Sequence, residues 1–370
     1  MREVIFATDG IFPQAVGGMQ RHSRLLIEAL ARQGELRLTV IHPHQGETVF
    51  DPALGIEEIA IAPLPGKRNY LLELYSYSKQ VAAILRERPE ALIYAQGLSV
   101  WHEVERFGPR LIINPHGLEP YQGLSLEDRL KGWPYRMIYW RLFNRAARVV
   151  SLGGRLTDIL RGVIRDPQRL VVLPNATELP KGDWQGWLAT RPTRPIKVLF
   201  VGRFAHNKGI DVLMQAIAQL HEAGESDDFH FTLAGKGPLY EQMRKQYQFA
   251  NAELLGFVSD EQLAELYQSH HLFMLPTLFE GMPTVVLEAM ARAMVIAVTD
   301  VGATRELVDA SNGYIIDKGS PAAIVAALRQ VRDLSPEQRQ AMGEASRAKV
   351  EARFTWPQVA QAHVEVLREL

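Results

Sequence analysis

The stretch from Lys197 to Leu220, KVLFVGRFAHNKGIDVLMQAIAQL, decides the fold class of this chain. Its first five residues predict a buried β-strand that ends at Gly202, and a polar loop follows as far as Gly209. Apolar side chains then recur at the spacing of one helix face, at Ile210, Leu213, Met214, Ile217 and Leu220. A strand, a glycine-containing loop and a helix in this order favour a parallel sheet with helices on both faces.

The same alternation extends outward in both directions along the chain. Before this stretch, the predicted strands are Val4–Thr8, Leu36–Ile41, Ala91–Ala95, Leu111–Asn114, Val149–Leu152 and Leu170–Leu173. After it they are Phe229–Leu233, Glu253–Leu255, Leu272–Leu275 and Val295–Val298. Ser259 and Gln262 are spaced as a capping box, which predicts the start of a helix there. The pattern therefore predicts an α/β protein with two Rossmann-like domains.

A linker separates the two predicted domains. Leu179–Pro195 holds three prolines, two glycines and two tryptophans and has no clear period. We expect one domain over residues 1–179, a linker over 180–195, a second domain over 196–350 and a final helical segment over 351–370. Ligands of open parallel sheets bind beyond the carboxyl ends of the strands, so we expect the active site in a central cleft that both domains face.

Composition excludes several classes of protein. The 370 residues are 47% apolar and 22% charged, and they include no cysteine, so disulfide scaffolds, zinc ribbons, iron–sulfur clusters and thiol nucleophiles are excluded. A formal net charge of -1 argues against nucleic acid as a partner. The first apolar run is too short for a signal peptide, and no run reaches the roughly 18 to 20 apolar residues of a membrane span. We therefore expect a cytoplasmic protein.

The strongest local signal is EGMPTVVLE, from Glu280 to Glu288. It follows a predicted strand and opens a helix, and Pro283 suits the first helical turn because its missing N–H has no intrahelical partner there. The N–H groups of Thr284 and Val285 are then left for an anion such as a diphosphate. The two carboxylates can each accept hydrogen bonds from vicinal hydroxyls. Taken alone the spacing is weak, because a capping acid and a surface glutamate give the same pattern.

A second segment supports the first. Gly202–Gly209 follows the first strand of the same domain and places Arg203 and Lys208 at the carboxyl end of that strand. An arginine fork and a lysine point charge are the two usual ways in which proteins hold phosphate oxygens. The alternative is a solvated loop with two ordinary cations.

Six segments together resemble family 4 of the glycosyltransferases, retaining enzymes of the GT-B fold that use nucleotide sugars. They occur in one order over nearly the whole chain: Gly17-Gly18, His116-Gly117, Gly202–Gly209, Gly235–Pro238, Leu255–Ser259 and Glu280–Glu288. The resemblance implies an acceptor-side N-terminal domain, a nucleotide-sugar-binding C-terminal domain and a final helix that crosses back to the N-terminal domain. It also implies transfer to a glycan or lipid-linked acceptor, as in the synthesis of cell-surface polysaccharide or glycolipid.

The resemblance assigns roles in the C-terminal domain. Arg203 and Lys208 would hold the donor diphosphate and stabilise the charge of the departing nucleotide. Glu288 would bind the ribose hydroxyls. Glu280, with the backbone of Gly281, Met282, Pro283 and Thr284, would hold the donor sugar, and Phe257 and Val258 would border the base.

In the N-terminal domain, the resemblance places Gly17 and Gly18 over the phosphates and His116 near the reacting carbon. The catalytic set would be His116, Glu280, Arg203 and Lys208. The chain contains no Asp-x-Asp, the metal–diphosphate anchor of the other large glycosyltransferase fold, so we expect neither a metal nor a cofactor. Tyr240 also stands where a dinucleotide fingerprint beginning at Gly235 needs its third glycine, which argues against a nicotinamide enzyme.

The segment Arg129 to Arg155 carries seven basic residues and no acidic one, interleaved with aromatic residues. Such a helix can lie on an anionic membrane, for a cytoplasmic enzyme the inner face of the plasma membrane, or bind an anionic lipid-linked acceptor. An amphipathic helix with buried aromatic side chains and solvated arginines explains it equally well.

The base and sugar of the donor stay open. A UDP-sugar is favoured, and GDP-mannose comes next. A sugar-nucleotide 2-epimerase and a non-catalytic sugar-nucleotide-binding protein are the alternative functions.

Overall fold

The computed structural model of the chain describes residues 2–15, 17–62, 70–123 and 125–370. The chain forms two compact units, Met1–Asn175 with Trp356–Leu370, and Ala176–Thr355. Among the described residues, no helix combines the length and the apolarity that crossing a membrane requires.

The first unit is built on a seven-stranded parallel sheet. Its strands are β1 (Arg2–Ala7), β2 (Leu36–His42), β3 (Glu57–Ala60), β4 (Leu92–Gln96), β5 (Leu111–Asn114), β6 (Arg148–Ser151) and β7 (Leu170–Val172), in the spatial order β3-β2-β1-β4-β5-β6-β7. Its helices are α1 (Gly18–Gln33), α2 (Tyr70–Arg86), α3 (Val104–Phe107), α4 (Leu126–Lys131), α5 (Trp133–Phe143), α6 (Gly154–Val163) and the C-terminal α15 (Trp356–Arg368). The central strand β1 is buried on both faces, with Val4, Ile5 and Phe6 fully inaccessible, as covering helices require.

The second unit holds a six-stranded parallel sheet. Its strands are β8 (Ile196–Val201), β9 (Phe229–Ala234), β10 (Ala252–Gly256), β11 (Leu272–Leu275), β12 (Val295–Thr299) and β13 (Gly313–Ile316), in the order β10-β9-β8-β11-β12-β13. Its helices are α7 (Trp184–Thr190), α8 (Ile210–Glu222), α9 (Tyr240–Gln246), α10 (Asp260–Ser269), α11 (Thr284–Ala291), α12 (Thr304–Leu307), α13 (Pro321–Asp333) and α14 (Pro336–Arg353). In both units the strand order reverses beside the first strand, as in dinucleotide-binding folds.

The periodicity of the sequence predicted most of these strands, and two were missed. Strands β3 and β13 lie at the outer edges of their sheets. Each is only partly buried, so neither shows the continuous apolar run that marks a central strand. The predicted capping box is confirmed, since Ser259 Oγ accepts from the N–H of Gln262 at 3.2 Å and Gln262 Oε1 accepts from the N–H of Ser259 at 3.0 Å.

The segment predicted as a linker, 180–195, lies within the second unit and includes helix α7. Arg191, just after this helix, donates hydrogen bonds of 2.8 to 3.3 Å to backbone carbonyls of four residues, Tyr267, Gln268, Arg292 and Ala293. Burial of this guanidinium lowers the pKa of Arg191 to about 10. The segment is therefore anchored to the second unit rather than free.

Helix α15 packs against α1 in the first unit. The rings of Trp356 and His22 lie 5.5 Å apart, and Arg368 forms an ion pair with Glu35. The chain thus leaves the first unit after Asn175 and returns at Trp356.

Candidate functional site

Two loops of the second unit meet beyond the carboxyl ends of the neighbouring strands β8 and β11. The N–H of Leu278 and the hydroxyl of Thr277 both donate to the carbonyl oxygen of Asn207, each at 2.8 Å. Gly209 has a φ of +67°, and a Cβ there would lie 1.9 Å from the carbonyl oxygen of Pro276. A glycine is required at this position because only glycine adopts this conformation easily and permits so close a backbone approach.

This contact brings Lys208 and Glu280 together. Lys208 Nζ donates a hydrogen bond to Glu280 Oε1, and Thr277 Oγ1 lies 3.3 Å from the same oxygen. The lysine side chain is 24% exposed and the glutamate side chain 12% exposed, so the pair is largely desolvated. Two residues that the sequence placed in separate motifs therefore form one charged pair.

The backbone at Glu280 is fixed from a third loop, between β12 and α12. The N–H of Ala303 donates to the carbonyl oxygen of Gly281 at 2.8 Å. Gly302 has a φ of +54°, and a Cβ there would lie 2.4 Å from the carbonyl oxygen of Glu280. The position of the Glu280 carboxylate is thus set by backbone packing as well as by its ion pair.

Helix α11 begins at Thr284, with Pro283 as its N-cap residue rather than its first helical residue. Val286 is the first residue whose N–H donates to the Pro283 carbonyl, at 3.1 Å. In the part of the chain that the structure describes, the N–H groups of Thr284 and Val285 donate no hydrogen bond, as the sequence predicted. These groups and the positive end of the helix dipole make an anion-binding position next to Glu280.

Glu288 lies further along α11 and is half-buried. Tyr267, at the end of α10, donates its hydroxyl hydrogen to Glu288 Oε2 at 3.1 Å. The guanidinium of Arg292 lies 5.2 Å from the centre of the Tyr267 ring. The Glu288 carboxylate is therefore held in one orientation by a neighbouring helix.

The loops after β8, β9 and β10 are also joined through their backbones. The N–H of Phe204 donates to the carbonyl of Lys236 at 3.1 Å, and the N–H of Gly235 donates to that of Gly256 at 2.7 Å. Arg203 is exposed, and its guanidinium forms no ion pair or hydrogen bond with another described residue. Phe257, just past Gly256, is 80% exposed, which is unusual for a large aromatic side chain.

In the first unit, Gly17 is the N-cap of α1 and Gly18 is its first residue. A Cβ on Gly18 would meet no atom within 4 Å, so this glycine leaves open space beside the helix start. Position 16, immediately before, lies outside the described residues. A Cβ on Gly17, by contrast, would lie 2.2 Å from Oε1 of the Gln20 side chain, so the open space belongs to Gly18 alone.

His116 follows β5 and adopts the left-handed conformation, with a φ of +56°. Its backbone N–H donates to Asn114 Oδ1 at 3.0 Å, and its Nε2 contacts Gln96 Oε1. Burial, with a smaller effect from His363, lowers the pKa of His116 to about 3, so its ring is neutral at physiological pH. The His22 ring lies edge-on to it, with centroids 5.2 Å apart.

Within the second unit, the structure thus brings together Lys208, Glu280 and the start of α11, as the motifs predicted. Sequence reasoning missed four residues that hold the predicted side chains in place: Thr277 and Gly302 beside Glu280, Tyr267 beside Glu288, and, in the first unit, Gln96 beside His116. A lone Tyr or Thr in a strand–helix pattern carries no signal of its own, because the partner that gives it a role is distant in the chain. No group of three or more His, Asp or Glu side chains among the described residues could hold a metal ion.

Two family models match the chain, one for each half. The model described as Glycosyltransferase Family 4 matches residues 16–180, and the model described as Glycosyl transferases group 1 matches residues 189–349.

Curated relatives are found at modest identity. An uncharacterized glycosyltransferase of Methanocaldococcus jannaschii is 29% identical over 46% of this chain and 48% of its own length. The D-inositol 3-phosphate glycosyltransferase of Corynebacterium urealyticum is 25% identical over 96% of this chain and 91% of its own length. The chain spans less than two thirds of the length of several other relatives it matches, about half in the case of the M. jannaschii protein.

Solved structures share the fold over the whole chain. A sucrose-phosphate synthase of Thermosynechococcus elongatus superposes with a TM-score of 0.83 at 20% identity, covering 100% of this chain and 99% of that one. HepE of Anabaena, solved in complex with UDP-glucose, gives a TM-score of 0.70 at 16% identity and covers 100% of both chains. The two family models, the relatives and the solved structures all agree with the order of the motifs and with the two parallel sheets. The chain belongs to family 4 of the glycosyltransferases and has the GT-B fold.

Proposed function

We propose that this chain is a retaining, metal-independent hexosyltransferase that uses a nucleoside-diphosphate sugar as its donor. A UDP-sugar is favoured and GDP-mannose comes next, and the acceptor is a glycan or a lipid-linked glycan. The enzyme would act in the cytoplasm, on the inner face of the plasma membrane, in the synthesis of cell-surface polysaccharide or glycolipid. One observation carries this proposal: the Lys208–Glu280 pair stands beside the N-terminus of α11, where two N–H groups are left for an anion.

The donor diphosphate would bind at this helix start. Arg203 is exposed just past the end of β8 and Lys208 lies in the same loop, so we propose that these two cations and the two backbone N–H groups bind the phosphates together. Charge-assisted hydrogen bonds to phosphate are about twice as strong as neutral ones. The same groups would stabilise the charge that grows on the nucleotide as the glycosidic bond breaks, which is how preorganised electrostatics accelerates such a step.

The rest of the donor would follow α11 and its neighbouring loops. Glu288, oriented by Tyr267, would accept hydrogen bonds from the ribose hydroxyls. Glu280 would accept them from the donor sugar, next to the backbone of Gly281 to Thr284. Phe257 and Val258 would border the base, and the 80% exposure of Phe257 leaves its ring free to stack. The UDP-glucose complex of HepE supports a UDP-sugar as first choice.

In the first unit, His116 is proposed to contact the donor sugar, and Gly17 and Gly18 its phosphates. Because burial keeps the His116 ring neutral, it would act as a hydrogen-bonding group rather than as a general acid. We propose that the acceptor hydroxyl attacks the face that the nucleotide leaves, passes its proton to the departing phosphate and retains the anomeric configuration. The protein would contribute positioning and electrostatic stabilisation.

The test is a panel of UDP-, GDP- and ADP-sugars, incubated with the purified protein and with candidate acceptors. Transfer with retained anomeric configuration in the NMR spectrum of the product, undiminished by EDTA, is the expected result. Binding without turnover would identify a sugar-nucleotide sensor. Conversion of the sugar without an acceptor would identify an epimerase. Either outcome would overturn the proposal.

A membrane contact is proposed for helices α4 and α5. Five of their large apolar side chains are 40 to 79% exposed: Leu126, Leu130, Trp133, Met137 and Trp140. The sequence left open an amphipathic helix whose aromatic side chains all pack inward. Tyr139 and Phe143 are buried and fit that alternative, whereas Trp133 and Trp140 are exposed and do not. Exposed tryptophan beside arginine suits the interface of an anionic bilayer.

The membrane proposal is tested by flotation with vesicles of phosphatidylcholine, with and without phosphatidylglycerol. The wild type should float with the anionic vesicles, and a variant with Arg136, Arg141 and Arg145 reversed to glutamate should not. Absence of flotation by the wild type would refute the contact and leave the donor-site proposal untouched.

A further inference from the structure

A cavity of about 460 Å³ lies beside helices α3 and α5 in the first unit. Its apolar wall includes Trp101, Met137 and Trp140. Met137 is 52% exposed and Trp140 40% exposed, so the rim of the cavity is itself apolar and open to solvent.

The charges that line this cavity are unequal. Arg141, Arg145 and Arg165 supply three guanidinium groups and Glu105 supplies one carboxylate, which gives a formal charge of +3 - 1 = +2. Arg141 donates two hydrogen bonds to Glu105, at 2.7 and 2.8 Å, and these lower the pKa of Glu105. That pair is therefore neutral overall. The surplus charge belongs to Arg165 and to Arg145, whose charge also lowers the pKa of Glu105 without a hydrogen bond to it.

Neither surplus arginine has a carboxylate hydrogen-bonded to its guanidinium among the described residues. The Arg165 guanidinium lies 4.8 Å from the centre of the Trp140 ring, a cation–π contact that leaves its N–H edge available. Arg145 lines this cavity and also a second one of about 430 Å³.

The other arginines at the second cavity are already engaged. Arg169 contacts Asp166 at 3.3 Å and donates to the carbonyl of Asn144 at 3.1 Å. Arg148 lies 3.8 Å from the carboxylate of Glu369. Arg145 and Arg165 thus stand out from their neighbours as two guanidinium forks at an apolar rim.

We propose that the cavity beside α3 and α5 is a binding site for the phosphate of an anionic lipid headgroup, held by Arg145 and Arg165. Guanidinium forks match phosphate oxygens in pairs. The exposed Met137 and Trp140 argue for a lipid rather than a free phosphate, because a soluble anion gains nothing from an apolar rim, whereas these side chains can enter the bilayer interface. The inference rests on the membrane contact proposed above for α4 and α5 and gives it a specific ligand site.

The test compares two variants with the same change of charge. Arg145→Gln/Arg165→Gln empties the cavity of its surplus cations, and Arg129→Gln/Arg136→Gln removes two cations from the α4–α5 segment outside it. Partitioning onto vesicles that contain phosphatidylglycerol is measured by flotation. The cavity variant should lose at least about tenfold more affinity than its control, the value of one charge-assisted hydrogen bond. Equal losses would mean diffuse attraction alone and would overturn the proposal.

Three further arms complete the experiment. Arg145→Lys/Arg165→Lys keeps the charge but not the planar guanidinium fork, and this variant should bind the vesicles less tightly than the wild type. Equal binding would overturn the role of the forks.

Dibrominated lipids should quench the tryptophan fluorescence of the wild type more than that of Trp140→Phe. Equal quenching would place Trp140 outside the bilayer interface. Saturating glycerol phosphate should compete only weakly; tight binding of it without vesicle binding would identify a soluble anion site and refute the lipid. Thermal stabilisation by UDP, retained in each variant, shows that the fold is intact and separates failure here from failure of the donor site.

Discussion

Replacing Glu280 with glutamine removes the charge that Lys208 contacts and keeps an amide of nearly the same shape. In the structure this carboxylate neutralises Lys208, and the Thr277 hydroxyl lies 3.3 Å from it. A bound diphosphate would compete with Glu280 for the lysine and would also be repelled by the glutamate. Glu280→Gln should therefore tighten the binding of UDP, although it should slow the transfer of sugar.

The burial of the pair sets the size of this effect. Exposed ion pairs couple by about 0 to 1 kcal/mol, and breaking a fully buried pair costs about 3 to 5 kcal/mol. With Lys208 24% and Glu280 12% exposed, the pair falls between these limits. We expect the Glu280→Gln substitution to strengthen the binding of UDP by about 1 kcal/mol, which is about a fivefold decrease in its Kd. Loss of the contact to the donor sugar should lower kcat about 100-fold.

Isothermal titration calorimetry with UDP measures the first effect, and initial rates with the best donor of the panel measure the second. Glu241→Gln is the matched control, because it removes one carboxylate from the exposed Glu241–Arg244 pair, whose side chains are 66% and 63% exposed. The control should change neither quantity. Weaker binding of UDP to Glu280→Gln, by fivefold or more, would refute the competition between glutamate and diphosphate for Lys208.

Other expectations follow from single contacts. Gly209→Ala should lower the free energy of unfolding by about 2 kcal/mol or more, whereas Gly224→Ala, at a similar positive φ but with open space around it, should cost about 1 kcal/mol; equal shifts in chemical denaturation would contradict the backbone contact. Tyr267→Phe should raise the Kd for UDP about fivefold by freeing Glu288, with the Kd for pyrophosphate unchanged in calorimetry. Burial lowers the pKa of His363 from 6.5 to about 4, so the unfolded chain binds a proton that the folded chain does not. His363 should therefore contribute a loss of about 1.4 kcal/mol of stability per pH unit as the pH falls from 6.5 to about 4, and chemical denaturation of His363→Gln should show a correspondingly shallower pH dependence in that range.

The central strands were predictable because a strand that is buried on both faces has apolar residues at nearly every position. Strands β3 and β13 were not, because each is only four residues long and its apolar run is interrupted: β3 begins with two glutamates and β13 begins with a glycine. The segment 180–195 looked like a linker because prolines and glycines interrupt any period. Its anchoring depends on Arg191, whose four carbonyl partners lie more than 70 residues away in the chain. No local sequence pattern predicts hydrogen bonds between residues so far apart in the chain.

The candidate site was predictable to a similar degree. The start of α11 follows from Pro283 and the strand before it, and the cations of the β8 loop follow from parallel topology. The Lys208–Glu280 pair does not follow, because adjacency of β8 and β11 is a property of the strand order rather than of either motif. The resemblance assigned the lysine to phosphate and the glutamate to sugar, and it did not predict that the two side chains pair with each other.

The return of the chain to its first unit at Trp356 has a consequence for the order of synthesis. Residues 176–355 are complete, with all six strands of their sheet, before the ribosome has made α15. The first unit, although translated first, depends on α15, which packs on α1, places Trp356 beside His22 and follows the whole second unit in the chain. A chain truncated after residue 355 would therefore keep every strand of the second unit's sheet and lose the helix that packs on α1 of the first, so we expect such a truncation to destabilise the N-terminal unit rather than the unit in which the cut is made.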